Sequence, residues 1–293
     1  MSEQLYALGS IDAADSRIGV YDSQGEIRSS LMIVNADLDN YEASIGTLAD
    51  TVELITPASG EVVAASVAVA AQVTESGELT GTDELSPWTG KYLKQDLGSA
   101  LALPKELVGT PNNVVAIALS QQYVNSADGK PVKGIATTLG NGWGAALYSE
   151  EGEIKGDEPG HQHLRQSARC PCGGRDHVAA FISGKGVELN HGKTMQEWLA
   201  SVPDASEQLT IDITTATVAM LERHKTTNGF EAEEVRWTGG IALGRPLMML
   251  QVAMQVQKRF GPGEAPTFGI ITKGRQASLH GTFIDAQRRA QQH

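Results

Sequence analysis

The residues best suited to chemistry lie together between Glu158 and His177, in the run E-P-G-H-Q-H-L-R-Q-S-A-R-C-P-C-G-G-R-D-H. This run holds both cysteines of the 293-residue chain, Cys170 and Cys172, and three of its seven histidines, His161, His163 and His177. Two cysteines one residue apart make a strained disulfide, because so short a loop cannot supply the separation the bridge needs. They suit a metal held from a tight turn, and the glycines that follow would make that turn. Zinc takes four nitrogen or sulfur donors at tetrahedral corners. His161 lies upstream and His177 downstream to add two more, with His163 as a spare. Two reduced thiols beside surface histidines are the alternative that composition leaves open.

These residues resemble the zinc signature of the ROK (repressor, open reading frame, kinase) sugar kinases: E-x-G-H, a short loop, then C-x-C-G-x-x-G-[CH]-x-E. Glu158, Gly160 and His161 match the first part, and Cys170, Cys172, Gly173 and His177 the second. Asp176 replaces the motif's second glycine, and Ala179 its final glutamate. The resemblance implies a zinc on His161, Cys170, Cys172 and His177, and contacts from His161 and Glu158 to sugar hydroxyls. Four protein donors leave no corner open for water, so the expected zinc is structural.

Composition excludes several other classes. Acidic residues outnumber basic ones 35 to 23, a formal charge of -12, which argues against a nucleic-acid partner. No apolar run reaches membrane-spanning length, and Met1 to Tyr6 lacks a signal-peptide pattern. Closely spaced thiols then predict a reducing, cytoplasmic setting. The length accommodates two modest lobes with cores of their own.

The elements that must position the site read as α/β. Short strands are expected at Leu5–Leu8, Arg17–Tyr21 and Ile27–Val34, with a turn over Asp22–Gly25. Apolar positions at helical spacing predict a helix over Asn40–Leu54, and a Val/Ala run predicts a buried strand over Glu61–Val73. Helices follow at Leu93–Leu103 and Asn113–Tyr123. Beyond them come a strand at Gly134–Thr138, a helix at Leu209–His224, a strand near Val235, a helix at Arg245–Phe260, a strand at Phe268–Ile271 and a last helix at Ser278–Ala290. The ROK resemblance implies the two-lobed actin-like ATPase (ribonuclease H-like) fold with an interlobe cleft. Residues 1–111 with 276–293 would form the small lobe, and 112–275 the large one carrying the zinc motif.

In such kinases the first hairpin carries a phosphate loop, D-x-G-G-T, whose glycines let backbone N–H groups approach phosphate. Ser10 to Ala14 stands there. Aligned through Gly19 and Asp22, Ser10 takes the place of the aspartate and both glycines are gone; a gapped alignment lets Asp12 serve the nucleotide instead, with Ala13 and Ala14 as the loop. An ordinary hairpin is the other reading. The family's P-G-P corresponds to Ala70-Ala71-Gln72, and its sugar-contacting asparagine to Glu84, ahead of a packing Trp88.

The hinge run Asn112 to Leu119 is similar to the family's N-D-A-N-A-A-A-L. Asn112 matches the sugar-binding asparagine, and Asn113 stands where an aspartate would accept the proton of the sugar hydroxyl. An amide there can bind a hydroxyl or cap the helix, but it is no base at physiological pH. Leu139 to Tyr148 looks like the second phosphate loop, with Gly140, Gly142 and Gly144 in place, and Gly239-Gly240 like the adenosine motif.

The resemblance therefore implies an ATP-dependent hexose kinase of glucokinase type, using ATP with Mg2+, commonly as a homodimer. The alternative is a zinc-stabilised, non-catalytic sugar-binding or regulatory pseudokinase. No helix-turn-helix precedes the first hairpin, so a repressor is the lesser expectation.

Overall fold

The computed structural model describes residues 2–11, 15–34, 40–74, 76–80, 85–127, 129, 132–165, 168–261 and 263–293. The chain forms two compact units, Met1–Ser120 with Arg275–His293, and Gln121–Gly274. The division falls within a helix just past Asn112 and Asn113, so both asparagines belong to the first unit.

In the first unit, β1 (Glu3–Ile11), β2 (Asp15–Tyr21) and β3 (Ile27–Val34) make an antiparallel meander. Asp22 shapes the turn before β3: its carboxylate accepts from the N–H groups of Gln24 and Glu26 at 2.9 Å, while Gly25 takes a φ of 80°. Helix α1 (Tyr41–Ile55) then crosses to β4 (Gly60–Val69), with Asn40 accepting from Ala43 N–H as its cap. A small ribbon, β5 (Gln72–Val73) with β6 (Leu79–Thr80), helix α2 (Leu93–Ala100), β7 (Val108–Gly109) and α3 (Asn113–Ala127) follow. The sheet order is β3-β2-β1-β4-β7, and β4 runs parallel to both β1 and β7.

Strand β1 is buried on both faces, and its alternation sorts the core. Ala7 and Ile11 face α1 and the fully buried Trp88, whose indole meets Tyr41 edge-on at 5.1 Å. Tyr6 and Leu8 face the opposite way, toward Ala286 and Phe283 of the C-terminal helix.

The second unit repeats this plan. Strands β8 (Gly134–Leu139), β9 (Trp143–Tyr148) and β10 (Ile154–Asp157) form the meander. Then come α4 (Ala179–Ile182), α5 (Gly184–His191), α6 (Met195–Ser201) and α7 (Ala205–Asn228). Strand β11 (Glu234–Thr238), α8 (Gly240–Gly244), α9 (Pro246–Arg259) and β12 (Thr267–Ile270) complete this unit, and α10 (Gly274–Gln292), the C-terminal helix of the first unit, closes the chain. The order β10-β9-β8-β11-β12, with three antiparallel strands and then two parallel ones, is that of the first sheet. One core joins Trp143, Trp198 and Trp237 to the inner faces of α7 and α9. Among the described residues no helix is long and apolar enough to cross a membrane.

Candidate functional site

The described residues of the Glu158–His177 run form a backbone knuckle. Residues 168–170 pair antiparallel with 174–176, through Asp176 N–H to the Ala168 carbonyl at 2.8 Å and Cys170 N–H to the Gly174 carbonyl at 2.9 Å. The Gly173 N–H donates back to the Cys170 carbonyl at 3.0 Å, and Gly173 takes a φ of 84°. A second antiparallel pairing sets His163 opposite His177, with Leu164 N–H on the Asp176 carbonyl and Val178 N–H on the Gln162 carbonyl. Asp176, where the signature has glycine, sits at a φ of 65°. Aspartate tolerates that conformation better than most residues, and its Oδ1 accepts from Ala168 N–H at 3.2 Å.

Ligand atoms of Cys170, Cys172 and His177 all lie within 4.8 Å of one another. Cys172 Sγ is 3.2 Å from His177 Nδ1, close to the roughly 3.5 Å edge of a zinc tetrahedron. Gly174 makes room for the imidazole, since a Cβ there would stand 2.6 Å from its Cε1. Burial, then the neighbouring His161 and His163, push the His177 pKa below its ordinary value, keeping a lone pair for a metal at neutral pH. Two thiols and a neutral imidazole are the donor chemistry zinc favours, so these residues fit it. His161 lies outside the trio, its ring stacked on His177 with centroids 5.7 Å apart; His163 meets the same ring edge-on at 5.2 Å.

His161 ends a short 3-10 turn, Pro159–His161, closed by His161 N–H on the Glu158 carbonyl at 3.1 Å. Glu158 is half-buried and His161 exposed. Gly160 packs under Trp143 and beside Ala179, where any Cβ would come within 2.7 Å of the Trp143 carbonyl. Ala179, standing for the family's glutamate, therefore lies against this turn.

The glycine motifs of the second unit converge. Gly140–Gly142 is the turn between β8 and β9, closed by Gly140 N–H on the Gly142 carbonyl at 3.0 Å. Gly184 N–H donates to the Gly140 carbonyl at 2.8 Å. Gly239, at a φ of 96°, packs so tightly on Leu139 that a Cβ would stand 2.5 Å from the Leu139 carbonyl oxygen. Around Gly142 and Gly240 space is open. Gly144 lies within β9, in register with Thr138, and its carbonyl accepts from the Thr137 hydroxyl. Gly184 was not a sequence candidate; its pairing with Gly140 spans too many residues for spacing to reveal.

In the first unit Asn112, not Asn113, caps α3. Its Oδ1 accepts from Val114 N–H at 2.9 Å, its carbonyl from Ala116 N–H at 3.0 Å, and its Nδ2 donates to the Ala71 carbonyl at 2.7 Å. The cap residue precedes the first helical φ/ψ, and that boundary falls one residue earlier than an Asn113 cap requires. Asn113 is the first helical residue and half-buried. Glu84 and the Asp12–Ala14 turn lie outside the described residues.

Two units with one sheet plan and glycine turns at the strand ends define the two-lobed actin-like ATPase fold. The chain belongs to the ROK family, whose model matches residues 10–258. It is similar to the ROK hexokinase of Thermus thermophilus, with a TM-score of 0.79 at 17% identity over 99% of this chain and 100% of that one. A ROK glucokinase of Streptomyces griseus, solved with glucose and AMPPNP, matches with a TM-score of 0.67 at 18% identity over 99% and 100%. A ROK transcriptional regulator, a homologue of the E. coli MLC protein, matches at 0.76 and 15% identity over 98% of this chain and 79% of its own. No curated protein sequence matches the chain.

Proposed function

We propose that this ROK protein binds a hexose and ATP as the family's sugar kinases do, but transfers phosphate slowly. Asn112, Asn113, Glu158 and His161 meet the sugar hydroxyls. Gly140, Gly142, Gly144, Gly239 and Gly240 take the nucleotide, ATP with Mg2+. Cys170, Cys172 and His177, with His161 as fourth donor, hold a structural zinc that pins the turn carrying Glu158. The observation that carries this reading is the convergence of Gly140–Gly142 with Gly184 and Gly239, taken together with an amide in the sequence at position 113. Amide nitrogen and oxygen hold a hydroxyl in place, yet the hydroxyl proton has no acceptor of suitable basicity.

The test is calorimetry of the zinc-loaded protein with a hexose panel and with ATP-Mg2+, beside steady-state ADP release. Binding of both ligands with turnover far below the roughly 1–100 s⁻¹ usual for kinases supports the proposal. Turnover within that range would show that Asn113 does not limit transfer. Absence of binding by either ligand would reject the kinase-type reading.

A further inference from the structure

The turn that carries Glu158 and His161 is gripped from behind by α7. Asp157 ends β10 one residue before the turn, and Gln162 follows it. Both reach one guanidinium, that of Arg223. Arg223 Nη2 donates to Asp157 Oδ2. With the Gln162 amide oxygen facing α7, Arg223 Nη2 and Nε donate to it at 2.6 and 2.8 Å. His224 Nε2 lies 3.0 Å from the same Asp157 oxygen, and its side chain is only 4% exposed. The Gln162 carbonyl meanwhile accepts from Val178 N–H at 2.7 Å, beside His177. A planar fork that bonds the residues flanking both ends of a four-residue turn sets the span of that turn. Asp157, Gln162, Arg223 and His224 fall outside the signature positions and outside the Cys170, Cys172 and His177 cluster.

We infer that Arg223 is a positioning residue: by bridging Asp157 and Gln162 it holds the Glu158–His161 turn in the geometry that the sugar site proposed above, on which this rests, requires. His224 Nε2 meets the same oxygen, Asp157 Oδ2, 3.2 Å from Arg223 Nη2, and so helps fix the carboxylate beside the guanidinium. Lysine cannot replace the arginine, because a point charge on a flexible stem cannot make the fork to Gln162. Glutamate can replace Gln162, because its carboxylate accepts the same pair of N–H groups more strongly.

The experiment compares full-length, zinc-loaded wild type with Arg223→Lys, Gln162→Leu and Gln162→Glu. Amide hydrogen exchange is read at Gly160 and His161, alongside glucose affinity by calorimetry and the thermal midpoint. Arg223→Lys and Gln162→Leu should speed exchange at those two amides by about tenfold or more and weaken glucose binding by a similar factor, with exchange in β8 and β11 unchanged. Gln162→Glu should keep both near wild type. Exchange at Gly160 and His161 that matches wild type in Arg223→Lys would overturn the proposal. So would acceleration spread evenly over the second unit, which marks general destabilisation, and so would unchanged glucose affinity where wild type binds glucose. If wild type binds no glucose but exchange responds as stated, the hold on the turn is upheld and the sugar reading alone fails.

Discussion

Replacing Asn113 with aspartate separates a site that lacks only its base from one that lacks more. Asn113 is the first residue of the fifteen-residue helix α3, and the capping bonds belong to Asn112. An aspartate at 113 therefore inherits no obligatory cap bond and places its charge at the positive end of the helix. That placement is worth about 0.3–1 kcal/mol and favours the ionised form. The carboxylate is then fully ionised at neutral pH. Its stabilisation is present above the unfolded aspartate value of about 3.9 and disappears as pH falls through the folded one. A positioned base contributes about 10²–10⁴ in rate, and about tenfold is the least the substitution should return. The assay is ADP release with a hexose panel at pH 7 for wild type, Asn113→Asp and Asn113→Ala, with thermal midpoints at pH 7 and pH 3. Asn113→Asp should turn over faster and melt higher at pH 7 only; Asn113→Ala should lose hexose affinity. Unchanged turnover in Asn113→Asp, with hexose and ATP still bound, would refute the base as the missing element. Unchanged affinity in Asn113→Ala would refute its contact with sugar.

Cys172→Ser should lower zinc from about one per chain to a small fraction and reduce the thermal midpoint as a chelator does to wild type, measured by metal analysis and calorimetric melting. Gly239→Ala should weaken ATP binding about tenfold or more and cost about 1–3 kcal/mol, because its Cβ would meet the Leu139 backbone; Gly142→Ala, with nothing within 4 Å, should leave the fold intact, and equal effects on denaturant midpoints would contradict the packing. Gly281→Val should cost more than about 3 kcal/mol in urea unfolding, since even a Cβ there would lie 1.7 Å from the Ala116 carbonyl oxygen. Burial raises the Glu234 carboxyl, but bonds from Tyr148, Arg236 and Asn125 outweigh it and hold the pKa below the usual range; burial is likewise outweighed at Asp157 by His224 and Arg223. Their stabilisation is present above about pH 4 and lost as pH falls through the lowered folded values, and Glu234→Gln should flatten that acid limb of the melting curve.

What could be read from residue order alone was what local physics controls. The apolar spacing from Tyr41 to Val52 and the Asn40 cap specify α1 as found. The strand expected over Glu61–Val73 is shorter: β4 stops at Val69, and Ala70 N–H still reaches the Ile11 carbonyl before the chain turns away. Apolar content signals burial, whereas a strand ends where its partner does. Gly184-Lys185-Gly186 opens α5 despite its two glycines, because Ser183 caps it and Gly186 alone fits against the Ala179 carbonyl. Strand β10 has one large apolar residue, Ile154, and lies at the sheet edge, so it gave no alternating signal. At the site, Cys170, Cys172 and His177 were legible because a tight turn joins them. The ring placements of His161 and His163 depend on chain pairing, and the Arg223 contacts span 66 residues to Asp157.

The repetition of one sheet plan has a consequence for how such a protein ages. Each half carries its own hydrophobic interior, so each can shed ligand-facing residues without undermining the other's folding. The departures from the family's motifs include Ala13, Ala14, Glu84 and Asn113 in the first half and Ala179 in the second, where the glycine turns and the Cys170, Cys172 and His177 cluster are kept. A chain laid out twice on one plan can thus depart from its family's pattern in one half while the other half keeps its turns.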